Sequence, residues 1–444
     1  MPRFFRNLVP FVAAVTFFFA PALNAQAPAA PHVKLDVVQV SHAHGMLRDA
    51  HDEVRKSYYD PKYHGIDIDA RYKEYDEKIK NASSLPELMQ IVAAYLSGFN
   101  DSHLFFNPPA RGVRSDPGYR MMMVGDKSFI TRVRPGSDAA DKLLPGDQVL
   151  QFGRYAVNRD DISNLGYYFH VLATSPVDEL VVKSPTGPPH TVTVKAMMKI
   201  QKSVIDISQG GSDDVDLETR EEQSDFLERE RLVTLDKVNI WKMAEFLFEP
   251  SLLDTFFSSD KARPTTIIDL RGNPGGAEDS LQALVSRVFD HDVKIADRVG
   301  RKPMKPVVAK HVSSPYTGKI IVLVDSGSAS CSELFARVMQ LEHRGTVIGD
   351  TSAGAVMEAE HIREQQGEDT RIFYAFSITR SNLIMADGKS LEKVGVIPDE
   401  VVLPTAEDLA HNSDPVMTRA LAIAGVTMTP AAAGKLFPFE WAKF

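Results

Sequence analysis

The sequence has a single cysteine and no surplus of positive charge. Cys331 cannot form a disulfide within the chain, so stability must come from core packing. Acidic residues outnumber basic ones, 59 to 50, and the formal net charge of −9 argues against nucleic acid as a partner. Beyond the N-terminal segment no stretch is long and apolar enough to cross a bilayer, which takes about 20 such residues. Hydrophobic content of 43% and charged content of 25% are those of a globular protein.

The first 27 residues have the composition of a secretory signal peptide. Arg3 and Arg6 precede a largely apolar stretch over 8–23, and small residues surround a cleavage site after Ala27. We predict that residues 1–27 are a signal peptide and that the mature chain, without a membrane span, is periplasmic or secreted. Retention of the segment as a membrane anchor is the alternative. Cleavage would remove two positive charges and no negative one, taking the net charge from −9 to −11.

The patterns along the mature chain change at about residues 113, 201 and 233. Residues 33–112 are predicted to form a helical domain, because apolar residues recur there at helical spacing. Residues 113–200 are predicted to form a β domain, since short alternating stretches are separated by turns. The acidic stretch 201–232 is predicted to be a solvated linker.

Residues 233–410 alternate between strand and helix patterns, and residues 411–444 are predicted to form a helical tail. The patterns predict strands at 238–241, 265–270, 320–324, 346–349 and 373–379, and helices at 278–289 and 332–341. Strands that alternate with helices favour a layered α/β core. The sequence as a whole therefore predicts a multi-domain α+β protein with a helical N-terminal bundle, a β domain and an α/β core.

Two turns rich in small residues follow predicted strands of this core. Residues 325–333 (DSGSASCSE) lead into a helix, and residues 269–276 (DLRGNPGG) have little side-chain bulk. A small-residue turn at a helix N-terminus can present a hydroxyl nucleophile, and backbone N–H groups there can stabilise an oxyanion. The alternative is that the serines cap the helix, and we expect Ser332 to be its N-cap. The pattern favours covalent acyl chemistry, with a base supplied from elsewhere in the chain.

The chain resembles the S41 family of serine peptidases, which includes the C-terminal processing peptidases and the tricorn-like enzymes. The matching stretches follow the family's order over nearly all of the mature chain: 58–62 (YYDPK), 101–103 (DSH), the β domain, 269–276, 328–333 and 391–399 (LEKVGVIPD). The resemblance implies a core of the layered ClpP or crotonase type. Residues 113–200 resemble a PDZ domain, but residues 119–123 (YRMMM) replace its usual carboxylate-binding loop.

The resemblance implies a serine nucleophile and identifies the branch of the family. It places the nucleophile at Ser330. The lysine that one branch uses as its base would fall at Ala355, and no lysine occurs between Lys319 and Lys389. The resemblance therefore points to the histidine-using, tricorn-like branch.

The base implied by that branch is His103, with Ser102 and Glu392 as the residues that orient it. A serine hydroxyl attacks efficiently only when a neutral imidazole accepts its proton. A carboxylate behind the imidazole fixes its tautomer and stabilises the imidazolium. His103 could instead cap the end of a helix. Three other carboxylates compete with Glu392 for its role: Asp350, Glu358 and Asp387.

The oxyanion hole is expected between the N–H of Cys331 and that of Gly275 or Gly276. Residues without a side chain allow a substrate carbonyl to approach closely. The Cys331 thiol is itself an alternative nucleophile. The chemistry needs no metal and no organic cofactor. A His-rich stretch over 41–51 contains a second Ser-His pair, Ser41-His42, and could hold a metal or simply be solvated.

We expect an exported serine endopeptidase that cleaves peptide bonds of unfolded or C-terminal polypeptide segments through an acyl-enzyme on Ser330. Its partners would be polypeptide substrates, and a homo-oligomer is left open. The first alternative is a catalytically inactive, polypeptide-binding scaffold, motivated by the absent lysine. The second is a crotonase-like acyl-transfer enzyme, against which the signal peptide and the PDZ-like segment argue.

Overall fold

The computed structural model describes residues 35–110, 112–200, 231–248, 250–257, 263–367, 371–441 and 444. The predicted signal peptide and the predicted linker as far as residue 230 lie outside these residues. Within the described part of the chain, no helix has the length and apolar character needed to span a membrane.

The described residues form ten α-helices, together with short 3-10 turns at Tyr63–Gly65 and Asp138–Asp141 and a π-helical turn at Tyr167–Leu172. The helices are α1 (Val37–Ser57), α2 (Ile68–Lys80), α3 (Leu85–Ser97), α4 (Ile162–Gly166), α5 (Pro250–Phe256), α6 (Glu278–Val288), α7 (Cys331–Leu341), α8 (Ala406–Ala410), α9 (Pro415–Ile423) and α10 (Pro430–Ala433).

Nineteen strands are described in the same residues. They are β1 (Phe105–Asn107), β2 (Val113–Asp116), β3 (Tyr119–Val124), β4 (Lys127–Val133), β5 (Gln148–Phe152), β6 (Tyr155–Ala156), β7 (Val177–Lys183), β8 (His190–Lys195), β9 (Met197–Ile200), β10 (Arg231–Thr234), β11 (Val238–Lys242), β12 (Thr265–Asp269), β13 (Val293–Val299), β14 (Val307–Ala309), β15 (Lys319–Val324), β16 (Gly345–Gly349), β17 (Met357–Gln366), β18 (Ile372–Met385) and β19 (Glu400–Val401).

The helices α1, α2 and α3 form a bundle that packs on the long strand β18. Asp36 and Ser84 are the N-caps of α1 and α3, and each accepts a hydrogen bond from the backbone N–H three residues on. Buried side chains such as Leu47 and Leu96 share one core with Phe376 of β18. The helical N-terminal region expected from the sequence is confirmed. The residues that follow α3 are held against β18, because β1 pairs with it.

The residues between the bundle and the core form an antiparallel sheet in the order β3-β4-β5-β7-β8, with β6 beside β5. Its inward-facing residues, among them Ile130, Val149 and Leu180, form a separate buried cluster. We call residues 113–200 the β domain. Its β3 strand contacts the core directly, because Ser326 Oγ donates a hydrogen bond to Met123 O at 2.7 Å.

The core is built on a six-stranded sheet in the order β10-β11-β12-β15-β16-β19. Neighbours from β11 to β19 are parallel, and β10, which begins where the predicted linker ends, is antiparallel at the edge. Helices α6 and α7 cover one face and α9 the other, so β12 and β15 are buried along nearly their whole length. The structure confirms the strands predicted at 238–241, 265–270, 320–324 and 346–349.

A second sheet has the order β1-β18-β13-β14, with β17 also paired to β18. The strand predicted at 373–379 is the first half of β18, which continues to Met385. Because β18 pairs with β1 and packs on the bundle, it connects the N-terminal part of the chain to the core.

Candidate active site

The two small-residue turns lie side by side at one edge of the parallel sheet. They follow β12 and β15, which are neighbours in register. Asp325 Oδ1 accepts a hydrogen bond from the Gly272 N–H at 2.8 Å, and the buried Ser328 Oγ donates to Leu270 O at 2.7 Å. These bonds fix one turn against the other at the carboxyl edge of the sheet, where α/β proteins commonly place their sites.

Ser330 has a strained backbone at the start of α7. Its φ is 52° and its ψ −117°, a conformation that costs a residue with a side chain about 1–3 kcal/mol. Its N–H donates to Ala355 O at 2.9 Å and to a Glu333 carboxylate oxygen at 3.1 Å. A strained serine between a strand and a helix is a recurrent way to present a nucleophile. The expectation that Ser332 is the N-cap is wrong: Ser330 has that position, and Ser332 lies inside the helix.

Glu333 is a buried carboxylate that the sequence analysis did not single out. It accepts hydrogen bonds from Ser352 Oγ at 2.6 Å, Gly354 N–H at 2.8 Å and Ala355 N–H at 2.9 Å, besides the bond from Ser330. Burial raises its pKa to about 7, against the lowering effect of these four donors. Glu333 therefore joins the serine turn to residues 352–355.

Ser102, His103 and Glu392 form a hydrogen-bonded series although 289 positions separate the last two. Ser102 Oγ lies 2.8 Å from His103 Nδ1 and donates to Glu392 Oε2 at 2.8 Å, while the Ser102 N–H donates to Glu392 Oε1 at 2.9 Å. A hydroxyl has one proton, and a carboxylate can only accept. Ser102 must therefore accept from His103, which places the imidazole proton on Nδ1 and leaves Nε2 as the proton acceptor.

His103 is partly buried and lies near two carboxylates. Burial lowers its pKa, and Glu392 and Asp101 oppose this by raising it. Asp101 Oδ1 accepts from the His103 N–H at 2.9 Å and from Thr379 Oγ1 at 2.8 Å, and Oδ2 accepts from Tyr58 Oη at 3.0 Å. Asp101 thus holds the His103 backbone against both β18 and the end of α1. A lowered pKa keeps the imidazole neutral, as a general base requires.

The serine turn and the histidine meet through residues 355 and 356. Ala355 O accepts the Ser330 N–H, and the next residue, Val356, donates its N–H to Glu392 Oε2 at 2.9 Å. Ala355 therefore lies directly beside Ser330; the sequence resemblance places the lysine of one branch of the family at this residue. Among the described residues, Ser330 Oγ and His103 make no direct hydrogen bond; in unliganded sites such bonds are often long.

Two backbone N–H groups beside Ser330 donate to no oxygen atom of the described residues: those of Gly276 and Cys331. The Gly275 N–H instead donates to Asn273 Oδ1 at 2.9 Å. A Cβ on Gly275 would lie 2.6 Å from Ser330 Cβ and 3.0 Å from Cys331 N, and its φ of 102° also favours glycine. Gly275 therefore provides space next to the serine, and of the two glycines it is Gly276 whose N–H donates to no oxygen of the described residues.

The Cys331 thiol is buried and poorly suited to act as a nucleophile. Its Sγ lies 3.3 Å from Gly276 O, to which it donates. Burial raises its pKa to about 12, so the thiolate is scarce at neutral pH. The thiol is therefore a packing group beside the helix start.

The competitors of Glu392 have other partners. Asp350 pairs with Arg159 of the β domain, Glu358 with Arg298, and Asp387 with Arg337. The histidines of α1 have partners on the other two helices of the bundle: His44 Nδ1 contacts Asp76 at 2.5 Å, and His51 Nδ1 contacts Tyr95 Oη at 2.9 Å.

A serine presented at a helix start, a neutral imidazole and a carboxylate that orients it define the class of serine hydrolases. Comparison with known proteins narrows the class. Residues 240–402 match the sequence model of peptidase family S41, and residues 41–96 match that of the Tricorn protease C1 domain. The chain is therefore similar to peptidase family S41 over residues 240–402 and to the Tricorn protease C1 domain over residues 41–96.

Individual relatives agree with this assignment. A putative tricorn protease homolog 2 of Streptomyces coelicolor is 23% identical over 397 residues, which is 85% of this chain and 32% of that protein. A carboxy-terminal-processing protease of Bartonella bacilliformis is 34% identical over 138 residues, 31% of this chain and 30% of that protein. The chain thus spans about a third of the length of these curated relatives. The crystal structure of mature CPAF shares the fold, with a TM-score of 0.61 at 16% identity over 84% of this chain and 94% of that one.

Proposed function

We propose that the protein is an exported serine endopeptidase that cleaves unfolded or C-terminal polypeptide segments through an acyl-enzyme on Ser330, with His103 as base. The observation that carries the proposal is the series of hydrogen bonds from Glu392 through Ser102 to His103. It holds the imidazole proton on Nδ1 and leaves Nε2 unprotonated, so that Nε2 can accept a proton as a base. The export rests on the sequence of residues 1–27 alone.

In the proposed mechanism, Ser330 Oγ attacks the scissile carbonyl carbon while His103 Nε2 takes the hydroxyl proton. The negative oxygen of the tetrahedral intermediate accepts hydrogen bonds from the N–H groups of Gly276 and Cys331. His103 then gives its proton to the leaving amine, and an acyl-enzyme remains. A water molecule, deprotonated by the same imidazole, releases the acid. Loss of one oxyanion donor typically costs about 3–4 kcal/mol in catalysis.

We further propose that the β domain is PDZ-like and positions the polypeptide next to the serine turn. Its support is the hydrogen bond from Ser326, four residues before Ser330, to Met123 O on strand β3. A polypeptide held by this domain would therefore be held near the turn that carries the nucleophile.

The test is proteolysis of fluorescently labelled casein by the mature chain and by Ser330→Ala and His103→Ala variants. Both variants should lose activity, by about 10³-fold or more. The chain offers a matched control, because Ser41-His42 is a second Ser-His pair: His42→Ala should cleave like the wild type. Equal cleavage by the Ser330→Ala and wild-type proteins contradicts the mechanism.

The second candidate is a polypeptide-binding scaffold without catalysis. The observation that favours it is that Ser330 Oγ makes no hydrogen bond to His103 within the described structure. A fluorophosphonate probe separates the two: an active site labels Ser330 in the wild type, and labelling falls in His103→Ala. A scaffold binds casein but leaves Ser330 unlabelled in both proteins.

A further inference from the structure

One face of the β domain brings three arginines together. Arg120 on β3 lies directly opposite Arg132 on β4, and Arg134 follows two residues later. Like charges directly opposite each other destabilise a strand pair. Asp116 pairs with Arg120 at 3.4 Å and with Arg134 at 2.6 Å. We call Arg120, Arg132 and Arg134 the arginine face.

The pKa of Arg120 reflects this crowding. Burial lowers it most and Asp116 raises it, while the neighbouring charges of Arg134 and Arg114 lower it further. Electron-rich groups of a binding partner would reduce the repulsion between these positive charges. The flat faces of aromatic rings attract guanidinium groups and can stack on them.

The chain itself provides such a partner near its C-terminal end. The Trp441 ring lies 4.6 Å from the Arg134 guanidinium carbon and 4.8 Å from that of Arg120, and the Phe439 ring lies 5.6 Å from that of Arg132. The two rings contact each other edge to face, with centroids 5.1 Å apart. All three members of the arginine face therefore contact an aromatic ring of the same short segment.

The acidic residue between the two rings has a different partner. Glu440 is 78% exposed and lies 3.6 Å from Arg231 of the edge strand β10, which also donates to Pro438 O. Immediately before this, Leu436 and Phe437 pack on the core beneath α9 and α10. The segment thus leaves the core at Phe437 and crosses onto the β domain, held there by partly exposed contacts that are individually weak.

We propose that the arginine face, together with Arg231, is a docking site for polypeptide segments that carry two aromatic residues around an acidic one, and that residues 438–441 occupy it as an internal competitor. The proposal rests on the proposed function only where the docked polypeptide is a substrate. Unfolded polypeptides expose the aromatic side chains that such a site binds, whereas folded proteins bury them.

The test measures binding with the inactive Ser330→Ala protein, so that it does not depend on catalysis. The probe is a fluorescein-labelled synthetic peptide with the sequence of residues 437–444, FPFEWAKF. A chain that ends at residue 437 should bind it at least about tenfold more tightly than the intact chain, because the internal segment no longer competes at high effective concentration. The intact chain with Phe439→Ala and Trp441→Ala serves the same purpose if truncation impairs folding.

Two controls define the site. A peptide with alanine at both aromatic positions should not bind, and Arg120→Ala and Arg134→Ala in the shortened chain should each weaken binding about tenfold. Equal binding by the intact and shortened chains, or no effect of the arginine substitutions, overturns the proposal.

The link to substrates is tested with the catalytically competent protein. Release of residues 438–441 should lower KM for casein several-fold and leave kcat unchanged. Tight peptide binding with an unchanged KM refutes the substrate role of the face. Absence of casein cleavage by every variant, with peptide binding as expected, instead counts against the proposed function and leaves the docking site standing.

Discussion

Replacement of Glu333 by glutamine tests how the strained serine turn is held. One carboxylate oxygen accepts from Ser352 and Gly354, and the other from Ser330 and Ala355. A glutamine has one oxygen and one NH₂ group. Two donors must then face the NH₂ group, and each buried polar group left unsatisfied costs about 1–3 kcal/mol. The mispairing therefore costs about 2–6 kcal/mol in Glu333→Gln.

The buried charge acts in the opposite direction. The pKa of Glu333 is about 7 in the folded protein because of burial, against an ordinary value of 4.5. Between these two pH values the folded protein binds the proton more tightly than the unfolded chain, so the free energy of unfolding falls as the pH rises. The decrease due to this group is about 3 kcal/mol between pH 4.5 and well above 7. Glutamine does not titrate and lacks this decrease.

At high pH the charge effect of about 3 kcal/mol offsets a large part of the mispairing cost of about 2–6 kcal/mol. The change of the unfolding free energy with pH is therefore a sharper test than its value at one pH. The assay is urea-induced unfolding at pH 5 and pH 8, followed by fluorescence of the buried Trp241 in a Trp441→Phe background. The advantage of wild type over Glu333→Gln should shrink by about 2.5 kcal/mol between the two pH values. Glu77→Gln, at a side chain that is 67% exposed, is the matched control and should retain the wild-type slope.

The same variant should be catalytically impaired. Ser330 depends on Glu333 for one of its two backbone acceptors, and a displacement of about 1 Å can cost about 10²-fold in rate. If the unfolding free energy of Glu333→Gln changes with pH as that of the wild type does, Glu333 is not the titrating group. An unchanged kcat would show that its hydrogen bonds do not position Ser330.

Three further predictions concern the residues around the nucleophile. Burial lowers the pKa of His103, and a general base must be neutral, so kcat/KM should fall with decreasing pH only below about 6.5. A fall in kcat/KM with a midpoint above this pH would contradict the role of His103 as base. Ser102→Ala removes the acceptor of the His103 Nδ1 proton and should lower kcat about 10²-fold with little change in KM. Ser102→Thr keeps a hydroxyl and should retain most activity. Equal rates for the alanine variant and the wild type would show that Ser102 does not orient His103. Cys331→Ser should remain active. Iodoacetamide at pH 8 should leave the wild type active, because burial raises the pKa of the Cys331 thiol to about 12. Rapid inactivation by iodoacetamide would show that the thiol is reactive.

The core strands were predictable because burial on both faces gives continuous apolar runs, as in β12 and β15. The long β18 was only half predicted, since its second half begins with four consecutive polar residues, 379–382, which interrupt the apolar pattern. Ser102, His103 and Glu392 were identified from their motifs, and the structure joins them by hydrogen bonds. Their catalytic roles stay predictions.

Other features of the site depend on tertiary contacts that no local pattern encodes. Glu333 looks like an ordinary first-turn helix residue, and its donors in residues 352–355 come from the loop after β16. The preference for Gly276 over Gly275 as the proposed oxyanion donor depends on the side chain of Asn273, which accepts the Gly275 N–H. The aromatic residues 439 and 441 gave no signal, because their partners are more than 300 positions away.

The position of His103 determines which parts of the chain the proposed acyl-enzyme mechanism requires. The segment that matches peptidase family S41, residues 240–402, contains Ser330 and Glu392 but not His103, which lies beyond the tricorn-like match at 41–96 as well. Asp101 holds the His103 backbone through Thr379 of β18 and Tyr58 at the end of α1. His103 is therefore positioned by the packing of the helical bundle on β18, whereas Ser330 is positioned by the parallel sheet. If His103 is the base, as we propose, the matched core alone would retain the strained serine turn but lack the base, and the N-terminal bundle would be part of the proposed active site.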